Sequence, residues 1–320
     1  MQAVSRNDAK MRLTGRAARL TGRAGKGQAA GARRPLKDPA MPDLPYRSAL
    51  FVPASKPRAL EKARGLPCDA LLFDLEDAVA PEAKADARAA LAAALGAGGF
   101  GRRARIVRIN APATPWGAQD LEAAARLDCD GVLVPKVGGP ADLDAARCGR
   151  PLWAMIETAR GVIEAPAICR HPDLAGVVVG PNDLARELGA RETPDRMPLW
   201  HALQAVLLAA RAAGIVALDG VCNAIDDPER LAAECRQGRD MGYDGKSLIH
   251  PGQIAAANAA FAPSAAEIDL ARRQIAAHEA ALAEGQGVAV VEGRIVEALH
   301  VETARATLRR ARAIAEREAS

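Results

Sequence analysis

Residues 151–189 read PLWAMIETARGVIEAPAICRHPDLAGVVVGPNDLARELG. Two short apolar runs, Leu152 to Ile156 and Gly176 to Val179, each give way to polar residues and then to Ala, Leu, Glu and Arg at helical spacing. A run of four to six β-forming residues followed by a helical stretch is one strand and its crossover helix. Outward from this segment the same unit recurs. The further runs are Ser48 to Val52, Ala70 to Leu75, Arg105 to Ile109, Gly131 to Pro135, Ile215 to Asp219 and Gly245 to Ile249. Strands that alternate with helices pair in parallel, because each right-handed crossover returns the chain in the same direction. Eight such units over about 200 residues predict an α/β fold closed into a (β/α)8 TIM barrel, with an open doubly wound sheet as the other arrangement.

The pattern stops on both sides of this region. Residues 1–45 are predicted to be a disordered basic tail rich in Arg, Gly and Ala, with no apolar segment of the kind a secretory signal carries. Residues 46–262 form the predicted barrel, and residues 263–320 a helix, hairpin and helix extension. Ser264 and Glu267 have the spacing of a capping box, Gly285 and Gly287 end that helix, and Val288 to Val296 reads as a hairpin turning at Glu292-Gly293. An extension outside the barrel is expected to pack on a neighbouring subunit or to cap the site.

Composition narrows the function. Apolar residues make up 49% and aromatics only 3%, so the core is aliphatic and the chain is neither disordered overall nor membrane-spanning. Six scattered cysteines without a C-x-x-C pair read as reduced thiols of a cytoplasmic protein. The net charge of +4 is a property of the tail: residues 1 to 40 carry ten Lys or Arg against Asp8 and Asp38, a net of +8, which leaves 4 − 8 = −4 for the rest. Nucleic-acid binding is therefore not expected of the folded part. Gly96, Gly98 and Gly101 spell G-x-G-x-x-G, but a helix precedes them and a strand follows, the reverse of a dinucleotide site.

A barrel of this kind places its site at the carboxyl ends of the strands. Those ends carry Asp74, Glu76 and Asp77, Arg108 and Asn110, Lys136, Glu157, Asn182 and Asp183, Asp219, and Lys246 and His250. So many carboxylates in one mouth call for a cation, and hard oxygen donors without thiolates or paired histidines point to Mg2+, with Mn2+ as a substitute. Glu157 and Asp183 end adjacent strands and are the expected metal ligands; their other reading is as caps of the helices that follow. Arg108 suits a carboxylate or a developing enolate oxygen, or a structural ion pair with Glu76 or Asp77. Lys136 on a barrel strand raises a Schiff-base mechanism, although surrounding carboxylates would raise its pKa rather than lower it.

The segments R-S-A-L-F-V-P (47–53), F-D-L-E-D-A-V (73–79), V-R-I-N (107–110), P-K-V (135–137), I-E-T (156–158), G-P-N-D-L (180–184) and D-G-K-S-L-I-H-P-x-Q-I (244–254) resemble the citrate lyase β-subunit type within the HpcH/HpaI aldolase superfamily. The resemblance implies a Mg2+-dependent carbon–carbon lyase acting on a 3-hydroxyacyl-CoA thioester of the malyl, citramalyl or citryl type, in a homo-oligomer such as a trimer or hexamer. It implies metal binding by Glu157 and Asp183, substrate contact by Arg108, and a catalytic role for the Glu76-Asp77 pair. Arg47 and Lys246, in the first and last segments, are assigned to substrate binding with Arg108 and Glu157. The family's C-terminal turn can bring an Asp into a neighbouring subunit's site as acid/base; here that turn reads G-R-I-V-E, so Glu297 stands where Asp is usual. An aldolase using free pyruvate, and a carrier-dependent or non-catalytic citrate lyase β-type subunit, are the alternatives.

Overall fold

A computed structural model describes residues 45–319; the predicted basic tail up to residue 44 lies outside the described residues. Eight strands, β1 (Ser48–Pro53), β2 (Ala70–Asp74), β3 (Ala104–Arg108), β4 (Gly131–Val134), β5 (Leu152–Ile156), β6 (Leu174–Val179), β7 (Val216–Asp219) and β8 (Gly245–Leu248), form a closed parallel barrel in sequence order. Closure is made by β1 and β8, with Ser48 opposite Lys246 and Leu50 opposite Leu248. The helices between and after them are α1 (Pro57–Ala63), α2 (Lys84–Ala97), α3 (Gly117–Arg126), α4 (Pro140–Ala145), α5 (Ala159–Ile168), α6 (Pro181–Leu188), α7 (Trp200–Ala213), α8 (Pro228–Met241) and α9 (Ile254–Phe261). The Gly98–Gly101 stretch is the loop from α2 to β3, as its context predicts.

Alternation along each strand sorts the side chains into two layers. Ala49, Leu72, Ile106, Leu133, Trp153, Met155, Val178 and Leu218 fill the barrel, while Leu50, Leu71, Val107, Val132, Val177 and Leu248 pack outward against the helices. Trp153 is the largest of the inner side chains, and neighbouring glycines make room for it. A Cβ on Gly176 would lie 2.5 Å from its ring, and one on Gly131 would lie 3.0 Å away. Tyr46 meets Trp153 at the amino end of the barrel, with ring centroids 5.3 Å apart and the planes tilted by 55°.

The extension is α10 (Ala265–Ala283), a hairpin of β9 (Ala289–Val291) and β10 (Arg294–Val296), and α11 (Ala298–Glu318). Ser264 and Glu267 make the reciprocal capping box that the sequence predicts, and Glu292 and Gly293 both have positive φ at the hairpin turn. The end of α11 lies beneath the barrel's amino end. There Arg310 donates to Asp244 O at 2.5 Å, Arg317 to Cys68 O at 2.6 Å, and Arg47 reaches Glu318 at 2.8 Å. The carboxyl-terminal half of the extension thus closes this chain's own barrel from below, on the face away from the strand ends that carry the site.

Candidate active site

At the carboxyl end of the barrel a cavity of about 380 Å³ is lined by Phe51, Asp74, Asp77, Arg108, Met155, Glu157, Gly180, Asp183, Val221 and Ile249, among others. Of its charged residues, Asp74, Arg108 and Glu157 have the inward parity of their strands, Asp77 lies in the loop after β2, and Asp183 lies in α6. Asp74 ends β2 and Arg108 ends β3, opposite one another in the ladder. The Arg108 fork closes on Asp74 with Nε to Oδ1 at 2.8 Å and Nη2 to Oδ2 at 2.7 Å. That leaves Nη1 facing Glu76 at 3.0 Å and Asp77 at 3.4 Å, while the guanidinium lies over the Phe51 ring at 4.8 Å. Burial opposes its charge, but the bonds and charges of Asp74, Glu76 and Asp77 outweigh burial and push its pKa up, so the cation is permanent.

Glu157 follows β5 and is 1% exposed. Its Oε1 accepts the Lys136 backbone N–H at 2.8 Å. Burial first, then the charges of Glu76 and Asp183, push its carboxyl up to about 7, against the pull of that N–H and of Arg108. Asp183 lies in the first turn of α6 and pairs with Arg186 at 2.6 Å. Neither acid is a helix cap. Thr158 caps α5 by accepting from Gly161 N at 3.0 Å, and α6 has no side-chain cap. Gly180 makes the space: a Cβ there would sit 2.5 Å from the Glu157 Cβ and Oε2.

Glu76, 7% exposed, is held between Arg108 and Lys136, whose Nζ lies 2.6 Å from Glu76 Oε1. Burial raises its pKa, and the two cations pull it back. Lys136 keeps its proton: burial lowers its pKa, but Glu76 and Asp77 raise it more, which removes the Schiff-base reading. Asp77 is the most open member of the group, with its side chain 57% exposed. Lys84, not singled out from sequence, holds this acidic loop from behind, donating to Leu75 O at 2.8 Å and Glu76 O at 2.7 Å.

Five expected site residues are placed elsewhere. Lys246, assigned to substrate, has the parity of Leu248 and points outward; it is fully buried against Asp219 at 2.9 Å and Glu234 at 3.2 Å, behind the barrel wall. Asp219 points outward with it and also pairs with Arg196 at 2.8 Å. Arg47, also assigned to substrate, precedes β1 at the barrel's amino end, where it pairs with Asp69 at 2.9 Å and with Glu318. His250 caps a short helical turn, its Nδ1 accepting from Gly252 N at 3.1 Å. Glu297 is exposed at the start of α11 and does not line this chain's cavity.

The residues fit a divalent cation of the Mg2+ type. Glu157 and Asp183 line one cavity and repel one another, the Glu157 carboxyl is short of compensating charge, and Gly180 leaves its oxygens clear. No group of three or more His, Cys, Asp or Glu suited to a metal exists among the described residues. A site with two protein carboxylates leaves further positions to water and substrate, as Mg2+ prefers.

The family model for HpcH/HpaI aldolase/citrate lyase matches residues 47–251. The chain is 57% identical over 279 residues to a (3S)-malyl-CoA thioesterase of Cereibacter sphaeroides strain KD131, covering 86% of this chain and 98% of that protein. It is 37% identical to the citrate lyase subunit beta of Escherichia coli K12, over 83% of this chain and 93% of that one. The CitE protein of Mycobacterium tuberculosis, solved with magnesium, acetoacetate and coenzyme A, superposes with a TM-score of 0.73 at 34% identity, over 84% of this chain and 99% of that one. No helix among the described residues is long and apolar enough to cross a membrane. The chain belongs to the HpcH/HpaI aldolase/citrate lyase family.

Proposed function

We propose that the protein is a Mg2+-dependent hydrolase of a malyl-type CoA thioester. The observation that carries this is the 57% identity, over 98% of its length, to a protein named as a (3S)-malyl-CoA thioesterase. Glu157 and Asp183 would hold the ion, and the ion would supply positive charge for the substrate's carboxylate and hydroxyl oxygens. Arg108 Nη1, free of the Asp74 clamp, stabilises the thioester oxygen as it takes up charge, an electrostatic contribution that is large in a dry cavity. Asp77, open to the cavity and beside Arg108, would take a proton from the attacking water, with Glu76 fixing the orientation of both cations around it. Phe51, Met155, Val221 and Ile249 give the cavity apolar walls that exclude other water.

Carbon–carbon cleavage, the activity expected from the sequence, is the second reading. It is favoured by 34% identity over 315 residues to an L-malyl-CoA/beta-methylmalyl-CoA lyase of Cereibacter sphaeroides. The same Arg108 would then stabilise an enolate, and a carboxylate such as Glu297 from another copy of a homo-oligomer would move the hydroxyl proton. Glu297 is exposed, as that role requires. Product analysis separates the readings: malyl-CoA incubated with Mg2+ gives free CoA and malate by hydrolysis, but acetyl-CoA and glyoxylate by cleavage. Free thiol released in step with malate supports hydrolysis, and glyoxylate without free thiol overturns it.

A further inference from the structure

Lys136 has φ of 53°, one of three positive values among the described non-glycine residues. That region is strained for a residue with a Cβ and free for glycine. Gly138 and Gly139 follow in the same loop, so glycine is accommodated close by. A lysine kept at the strained position points to work done by its side chain. The left-handed turn does two things together. It aims the Lys136 N–H at Glu157 Oε1, 2.8 Å away, and it carries the ammonium to Glu76 Oε1, 2.6 Å away, and to within 3.9 Å of Asp77. Glu76 is thereby fixed between Lys136 and Arg108, and its Oε2 has the ion pair with Arg108 but no hydrogen bond.

We infer that Lys136 is a positioning residue that holds Glu76 out of the metal site, so that only Glu157 and Asp183 of the nearby carboxylates remain to bind the ion. This rests on the metal reading proposed above. Without the ammonium, Glu76 is a buried carboxylate with one cation, next to a site that attracts it through any bound divalent ion. A third carboxylate would bind the ion more tightly and occupy a position that substrate needs.

The test is Mn2+ titration by EPR at pH 8 on the whole protein, with turnover of malyl-CoA measured alongside. Lys136→Gly removes the ammonium, suits the backbone and keeps the amide. It is expected to bind Mn2+ roughly tenfold more tightly, because the released Glu76 carboxylate joins the ion, whereas loss of the 41% exposed ammonium alone is screened by solvent and gives less. Turnover should fall by at least a similar factor, with the melting temperature kept, and Lys136→Arg should restore both values most of the way. In Glu76→Gln the further change to glycine should leave the affinity within about threefold, because the carboxylate to be released is gone. Affinity in Lys136→Gly equal to or weaker than wild type, or unchanged turnover, overturns the inference alone. Absence of Mn2+ binding by the wild type overturns it together with the metal reading.

Discussion

Lys246→Met separates a buried structural lysine from a substrate-binding one. The ammonium lies 2.9 Å from Asp219 and 3.2 Å from Glu234, and none of the three is more than 3% exposed. Removing one partner of a buried ion cluster costs about 3–5 kcal/mol, because the remaining charges stay out of water. Here Arg196 remains on Asp219 at 2.8 Å and Arg230 remains near Glu234 at 3.3 Å, so the lower end, about 3 kcal/mol, is the better figure. For a domain of this size that corresponds to a fall in melting temperature of about 5 °C. Burial raises the Asp219 pKa, but Lys246 and Arg196 outweigh it and hold the carboxyl below its ordinary value. Its folded-state pKa is thus lower than its unfolded one, and its contribution is present above about pH 4 and lost as pH falls below that. Acid unfolding of Lys246→Met should therefore begin at higher pH. Calorimetry across pH and steady-state kinetics at 20 °C check this, with kcat and KM expected within about twofold of wild type because the side chain faces away from the cavity. An unchanged melting temperature with a raised KM would refute the placement.

The other expectations concern the cavity. The Glu157 carboxyl sits at about 7, so protons compete with the ion below that pH. Mg2+ affinity measured by calorimetry should rise by up to about tenfold per unit as pH increases toward 7 and level off above it. Affinity already flat from pH 5 to 7 would contradict this. Gly180→Ala places a Cβ 2.5 Å from Glu157 Oε2, and should weaken Mg2+ binding with little change in melting temperature. Arg108→Lys loses the bidentate grip on Asp74 and the fixed Nη1, and should reduce kcat roughly 100-fold with a smaller effect on KM, as loss of an oxyanion donor does.

Much of the barrel was legible because each apolar run is short, β-rich and bounded by a helical stretch, and all eight strands fall within two residues of their sequence positions. Asp74, Arg108 and Glu157 were legible for the same reason, as polar residues at strand ends, and Asp183 as a carboxylate in the first turn after β6. Asp219 and Lys246 were misplaced because strand ends alone were read, without alternation. With Leu218 inside the barrel, Asp219 must face the helices, and Leu248 fixes the same outward direction for Lys246. Arg47 precedes its strand and so belongs to the opposite end of the barrel, a distinction its motif does not carry. Phe51 and Met155 were missed as apolar residues of inward parity near the strand ends, which line a site as readily as they fill a core. The strained Lys136 backbone has no sequence signal, since no local pattern marks a lysine with positive φ.

Glu157 and Asp183 jointly bind a divalent ion in the cavity beside Arg108 if the proposed function is right. Mn2+ titration of wild type, Glu157→Gln and Asp183→Asn by EPR tests this most directly, independently of which CoA ester is the substrate. One site per chain is expected in the wild type, weakened by roughly 100-fold in each variant, as loss of a charged partner worth about 3 kcal/mol requires. Wild-type affinity retained in both variants would contradict it.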